Sequence, residues 1–156
     1  GAGGTEFGQA LPDDVGSQSR GTSLYPSHED HRHSMVGNIV AGFSNGVSAI
    51  SVDQRVDLYM HYAGEIYEAV LLADQSGSIV IDVQKDLYSN FPPTSADSIC
   101  ASAKPTITTA TKSRDTTLVG WTKTFKAGDV FRFNVDSVTS ITRVVLILKV
   151  RRRTQA

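Results

Sequence analysis

Two hydrophobic patterns divide this chain near Val36. Residues 1 to about 36 have apolar side chains only at scattered positions, with neither a helical period nor an alternation. From Val36 onward, apolar and polar residues alternate in short runs that are separated by turn residues. The pattern predicts an extended N-terminal neck over residues 1–36, a β-rich head over 37–150 and a basic tail over 151–156.

Alternation is clearest in residues 55–62, where apolar side chains share one face: Val56, Leu58, Met60 and Tyr62. In residues 79–84 the same rule points Ile81 inward, and Asp82 and Gln84 outward. Residues 73–78 are expected to form a turn or short loop, and residues 86–117 a long loop with room for a short edge strand. Further strands are predicted over 66–73, 118–125, 129–135 and 141–150. Many short strands without a convincing helix predict an all-β fold, an antiparallel β-sandwich of the jelly-roll-like kind.

The last predicted strand is apolar on both faces. Val144, Leu146 and Leu148 form one side, and Val145 and Ile147 lie on the other. A strand that is apolar on both faces is buried on both, and in a sandwich the second cover is often another subunit. Val145 and Ile147 are therefore predicted to lie in an interface between copies of the chain.

Composition narrows the class of protein. The chain has 156 residues, 40% of them hydrophobic, and a formal net charge of -1. That charge argues against nucleic-acid binding over the whole surface, and the single Cys100 excludes a disulfide framework or a cysteine-based zinc site. No apolar run approaches the length of a membrane span, and the first residues lack the form of a signal peptide. We therefore expect no nucleic acid and no membrane insertion, and a chain that folds in a reducing cytoplasm.

The neck contains a cluster of three histidines within six residues, which ends in Asp30, His31 and His33. In an extended segment the rings of His31 and His33 point the same way, so three chains around an axis would present six imidazoles. That number suits an octahedral transition-metal ion. The alternative is that the rings stack and form hydrogen bonds at the axis, with Asp30 holding one tautomer. No other cofactor is predicted.

The spelling G-T-S-x-x-x-S-x-x-D-H-x-H over residues 21–33 resembles an element that precedes the globular tip in tail fibres of tailed bacteriophages. The body is similar to a C-terminal domain of phage tail and minor structural proteins. The segments that carry this resemblance are residues 71–83, 85–86, 88–93, 103–106, 118–122, 127–130 and 133–137. This resemblance implies a β-sandwich head on a homotrimeric fibre that contacts a bacterial surface, with Asp30, His31 and His33 at the trimer axis. It implies no catalytic residue. Relatives tend to have tryptophan where this chain has Gln84, which argues against aromatic stacking at that position.

Exposed rings are the candidate receptor contacts. Tyr88 and Phe91 lie in the long predicted loop and are the preferred contacts for a glycan or a protein, whereas Trp121 is expected to be a core anchor. The arginines at 151–153 are interpreted as a solubilising tail, with attraction of anions as the alternative.

Catalysis is not expected. Two pairs of carboxylates, Asp53 with Asp57 and Glu65 with Glu68, could in principle suggest glycoside hydrolysis, but they are interpreted as solvated faces and turn residues. No nucleophile-elbow sequence is present.

The sequence as a whole predicts a phage tail-fibre head that attaches the virion to its host. Its expected partners are two further copies of the chain, a bacterial surface glycan or protein receptor, and other phage tail proteins. It would be assembled in the bacterial cytoplasm and carried on the virion. The alternative is a purely structural subunit of a tail, baseplate or capsid decoration that binds no ligand.

Overall fold

A computed structural model describes residues 35–153 of the chain. All of its strand pairs are antiparallel, which confirms the all-β antiparallel class for this part of the chain. No helix within it is long and apolar enough to cross a membrane. The strands are β1 (Val36–Ser44), β2 (Arg55–Tyr59), β3 (Ala63–Leu87), β4 (Thr106–Asp115), β5 (Thr124–Phe125), β6 (Asp129–Thr139) and β7 (Arg143–Arg153), and short 3₁₀ turns cover Tyr88–Asn90 and Ser95–Asp97.

The 25-residue strand β3 curls the sheet into two layers. Its first half, residues 63–73, pairs with β7, and its second half, residues 78–87, pairs with β6. The bend lies near Gly77, where an added Cβ would overlap the carbonyl oxygen of Thr139 and lie 2.7 Å from Cγ1 of Ile141. Only glycine allows β3 to approach the end of β6 this closely.

One hydrophobic core lies between the two layers. The first layer runs β1–β7–first half of β3, and the second runs β2–β6–second half of β3. Alternate residues of each strand point inward, as the period of two requires. The inward side chains include Phe43, Leu146, Leu148, Ile81, Phe131 and Phe133, all at most 2% exposed.

Three predicted boundaries differ from the structure. Residues 73–78 were predicted to be a turn but belong to β3, whose ladder to β4 is interrupted by a bulge after Leu72 and resumes at Gly77. The segment predicted as a loop over 86–117 contains an edge strand, as allowed for, but this strand, β4, has ten residues and is not short. Of the strand predicted over 118–125, only Thr124–Phe125 is a strand, because Leu118 and Gly120 adopt positive φ angles of 50° and 79°.

The last strand has the predicted inner face. Val144, Leu146 and Leu148 are buried. Val145 and Ile147 lie half-buried on the outer face, next to the exposed side chains of Val40 and Leu72. Strand β7 continues through 151–153, three residues past the predicted end of the head.

Candidate functional site

A polar pocket of about 410 Å³ lies on the outer face of the second layer. It is formed by β6, by β2 with the turn before it, and by the loop that follows β3. We call it the polar pocket; its lining residues are Asp53, Arg55, Gln84, Pro92, Pro93, Thr94, Ser95, Arg132, Asn134 and Asp136.

Strand alternation places the side chains of the β6 wall. Phe131, Phe133 and Val135 point into the core and are at most 1% exposed. The residues between them, Arg132 and Asn134, therefore point outward. The strand register then sets Arg55 of β2 opposite Asn134, and Gln84 of β3 opposite Arg132.

Asn134 is the centre of the hydrogen-bond network in the polar pocket. Its Oδ1 accepts from Nε of Arg55 at 2.9 Å. Its Nδ2 donates to Oδ1 of Asp136 at 2.7 Å and, at 3.4 Å, to Oδ1 of Asp53. Asp53 is held there by a left-handed backbone (φ 69°) and by its N–H, which donates to the carbonyl of Val135 at 2.7 Å. These contacts fix the polar side chains in advance of any ligand.

The guanidinium of Arg132 is held by Asp57 from the neighbouring strand. Its Nε and Nη2 donate to the two carboxylate oxygens at 2.7 and 3.0 Å. This two-point contact raises the pKa of Arg132 above its ordinary value. The charge of Arg132 is therefore already neutralised within the protein.

Beneath the polar pocket lies a buried polar group around Asp82 and Gln84. Both point to the outer face, as predicted, where other segments of the chain cover them: Asp82 is 0% exposed and Gln84 is 4% exposed. Asp82 accepts from Oγ of Ser98 at 2.6 Å and from Nε2 of Gln84 at 3.1 Å. Nζ of Lys104 lies 3.9 Å from Asp82 and donates to Asp136 at 2.7 Å, and the latter bond raises the pKa of Lys104.

One atom of this group has no partner. The Oε1 oxygen of Gln84 is buried and accepts no hydrogen bond within the described residues. A buried polar atom that forms no hydrogen bond costs roughly 1–3 kcal/mol. Gln84 is one of the residues that line the polar pocket, so an occupant of the pocket would lie next to this side chain.

The loop wall is shaped by local hydrogen bonds. The Phe91–Pro92 peptide bond is cis. Beyond it, Thr94 and Asp97 form a capping box: the N–H of Thr94 donates to Oδ2 of Asp97 at 2.8 Å, and Oγ1 of Thr94 accepts from the N–H of Ala96. The loop that forms the pocket wall beside Gln84 is therefore held in place by hydrogen bonds between its own residues.

Of the two predicted receptor contacts, Phe91 contacts the lining residue Arg132, and Tyr88 lies further away, against Tyr59. Tyr88 is 68% exposed and meets Tyr59 edge to face, with ring centroids 5.7 Å apart. Phe91 is 49% exposed, and its ring centroid lies 5.5 Å from the guanidinium carbon of Arg132. The turn that presents both rings is fixed by Asp86, which accepts from the N–H of Leu87 at 2.7 Å.

The other candidate residues lie away from the polar pocket or outside the described part of the chain. Asp30, His31 and His33 lie outside it, so the predicted neck, trimer axis and axial metal site are not described. Within residues 35–153, no three His, Cys, Asp or Glu side chains come together as a metal site. Trp121 is 7% exposed, as expected of a core anchor, and its Nε1 donates to the carbonyl of Ala103 at 2.8 Å.

The acidic side chains that were considered for catalysis bind basic partners or the pocket network. Asp57 binds Arg132, and Asp53 accepts from Asn134. Glu65 and Glu68 form ion pairs with Arg153 and Arg114 respectively. Each of these four carboxylates therefore has a structural partner on the surface of the fold.

Sequence analysis did not identify Arg55, Arg132 and Asn134 as site residues. Their signal was the alternation of polar residues with the buried phenylalanines of β6 and with Val56 of β2. That signal marks an outer face, but the pairing of β2 with β6 is needed to bring the polar positions together.

No family model matches this chain, and no curated protein matches it. Among solved structures it is similar to a carbohydrate-binding module, CBM36, in complex with calcium and xylotriose, with a TM-score of 0.36 and 11% identity over 78% of this chain and 90% of that one. It is also similar to RmlC from Streptococcus suis in complex with dTDP-D-xylose, with a TM-score of 0.24 and 12% identity over 86% of this chain and 51% of that one, so it spans about half of that protein.

Proposed function

We propose that this chain is the receptor-binding head of a phage tail fibre, and that it attaches the virion by binding a bacterial surface glycan in the polar pocket. The main support for a glycan ligand is the unpartnered Oε1 of Gln84 in a pocket whose polar side chains are already held in place. A sugar hydroxyl supplies the missing donor and at the same time accepts from a neighbouring group.

The charges of the polar pocket favour a neutral glycan. Its lining includes two arginines and two aspartates, so their formal charges cancel. Arg132 is neutralised by Asp57, and Asp136 by Lys104. Arg55 still has its terminal nitrogens to donate, and Asp53 has a carboxylate to accept. Adjacent donors and acceptors match the hydroxyls of a neutral sugar better than a single anionic group.

The phage part of the proposal rests on the sequence. The neck motif over residues 21–33 and the resemblance of the body to phage tail proteins suggest a homotrimer on a fibre. The outer face of the first layer supports contact between copies, because it combines the exposed Val40 and Leu72 with the half-buried Val145 and Ile147. Three weak identical sites would then hold the particle through avidity.

A glycan array that includes bacterial surface polysaccharides tests the binding. We expect the purified full chain to retain neutral glycans and Arg55→Ala to lose at least about tenfold in affinity, since the variant removes a charged donor from the pocket. Lys112→Ala is the matched control, because it removes an exposed cation from β4, outside the polar pocket. Equal binding by all three proteins would contradict the assignment of the site.

The alternative function is a structural subunit without a ligand, which the exposed apolar outer face also favours. A blank array together with no binding to bacterial cells would support it. The mass of the full chain in solution tests the assembly: we expect a trimer, and a stable monomer would contradict the proposed neck.

A further inference from the structure

The outer face of β2 leads away from the polar pocket toward an aromatic cluster. Arg55, Asp57 and Tyr59 alternate with the inward Val56 and Leu58, so their side chains share the outer face. Arg55 lines the polar pocket at one end. Tyr59, 43% exposed, lies at the other end.

Tyr59 belongs to a cluster of three rings, which we call the aromatic cluster: Tyr59, His61 and Tyr88. The ring of His61 is 4.8 Å from that of Tyr59, and the ring of Tyr88 is 5.7 Å from it, both edge to face. His61 is also exposed. Exposed aromatic side chains near a polar site are typical of an interaction surface, because burial of their large apolar area against a ligand favours binding.

The surface between the two ends is continuous. Asp57, midway along β2, holds Arg132, and the guanidinium of Arg132 lies over the ring of Phe91. Phe91 in turn closes the 3₁₀ turn that begins at Tyr88, since its N–H donates to the carbonyl of Tyr88 at 3.1 Å. An extended occupant therefore meets first Arg55, then Arg132 with Phe91, and then the aromatic cluster.

The length of this surface selects the size of the occupant. From Arg55 to Tyr59 the strand advances four residues, or about 13 Å at about 3.3 Å per residue. That span exceeds one sugar ring, so a monosaccharide in the polar pocket does not reach Tyr59.

We propose that the site binds an oligosaccharide, with one sugar in the polar pocket and a later sugar stacked on the aromatic cluster. This inference rests on the proposed glycan function and adds a second subsite to it. The polar pocket fixes the identity of one sugar through hydrogen bonds. The rings of Tyr59 and Tyr88 cover the apolar C–H face of a later unit, so the cluster selects for chain length.

The test compares affinity along a series of chain lengths. The probes are glucose, xylose and N-acetylglucosamine and their β-linked oligomers of two to six units, titrated calorimetrically into the full chain. We expect the affinity of one series to rise about tenfold or more between the single sugar and the longer oligomers. The double variant Tyr59→Ala/Tyr88→Ala is expected to keep the affinity for the short probe and to lose that rise.

The matched control is Tyr59→Phe/Tyr88→Phe, which keeps both rings and removes only the hydroxyls. We expect it to retain the dependence on length. If short probes bind and length adds nothing, or if the alanine variant keeps the full rise, the second subsite is refuted while the polar pocket stands. If no probe of any length binds, both the second subsite and the glycan function are rejected for these sugars.

Discussion

Gln84→Met separates the stability of the head from its binding. Methionine has nearly the volume of glutamine, so the change leaves no large cavity. It removes the unpartnered Oε1, a gain of about 1–3 kcal/mol, and it also removes the donor to the Asp82 carboxylate, a loss of about 1.5–3 kcal/mol. The two effects nearly cancel, so the free energy of unfolding should change by no more than about 1 kcal/mol and Tm by no more than about 4 °C.

Binding should respond differently, because the acceptor that a sugar hydroxyl would satisfy is gone. We expect affinity for the best glycan to fall about tenfold or more, a free-energy change of about 1.4 kcal/mol or more. Urea unfolding and calorimetric titration measure the two quantities on the same preparation. The control is Gln75→Met at the exposed bend of β3, which should bind as the unchanged chain does. A Gln84→Met protein that is folded and binds with full affinity would refute the role of Oε1.

Three further predictions concern the fold. Gly77→Ala should lower the free energy of unfolding in urea by about 3 kcal/mol or more, because its Cβ would meet the backbone of Thr139. The control is Gly42→Ala, whose Cβ meets nothing within 4 Å and which should change this free energy by less than about 1 kcal/mol. Equal effects of the two substitutions would contradict the close approach at the bend. Burial raises the pKa of the Cys100 thiol to about 12. Iodoacetamide should therefore label Cys100 at pH 8 only after denaturant unfolds the chain. Labelling of the native protein as fast as that of the unfolded chain would contradict the burial of Cys100. Hydrogen bonds from Leu118 and Thr117 lower the pKa of Asp115 below 3.8, so the ionised carboxylate stabilises the fold above that pH, and this contribution is lost as pH falls through the lower folded pKa. Asp115→Ala should therefore lower the free energy of unfolding by about 1 kcal/mol at pH 7 and by progressively less below pH 3. A loss that does not vary with pH would contradict this linkage.

The sequence predicted the class of fold because alternation reports burial directly. Phe131, Phe133 and Val135 alternate with polar residues, and the structure buries each of them. The same rule failed at residues 73–78, where Asp, Gln, Ser and Gly indicate a turn. Pairing at its two ends, of Ala73 with β7 and of Gly77 with β4, keeps this stretch within the strand, and such pairing between distant segments has no local signal.

The candidate site depends on contacts that the sequence does not report. Tyr88 and Phe91 were chosen because exposed rings in a loop are typical of contacts; the structure exposes both, Phe91 against Arg132 and Tyr88 against Tyr59, and their role in receptor binding stays a prediction. Asp82 and Gln84 were predicted to face outward, but alternation gives the face of a strand and not what covers it. Ser98 and Lys104, which lie 14 or more positions further along the chain, bury them.

A crystal structure of the full chain with the tightest-binding oligomer of the glucose, xylose and N-acetylglucosamine series tests the central claim most directly. We predict a sugar in the polar pocket, with one hydroxyl donating to Oε1 of Gln84 and others in contact with Arg55 and Asp53. A sugar bound only on another surface, or water molecules alone at Gln84, would contradict the claim that this pocket is the receptor site.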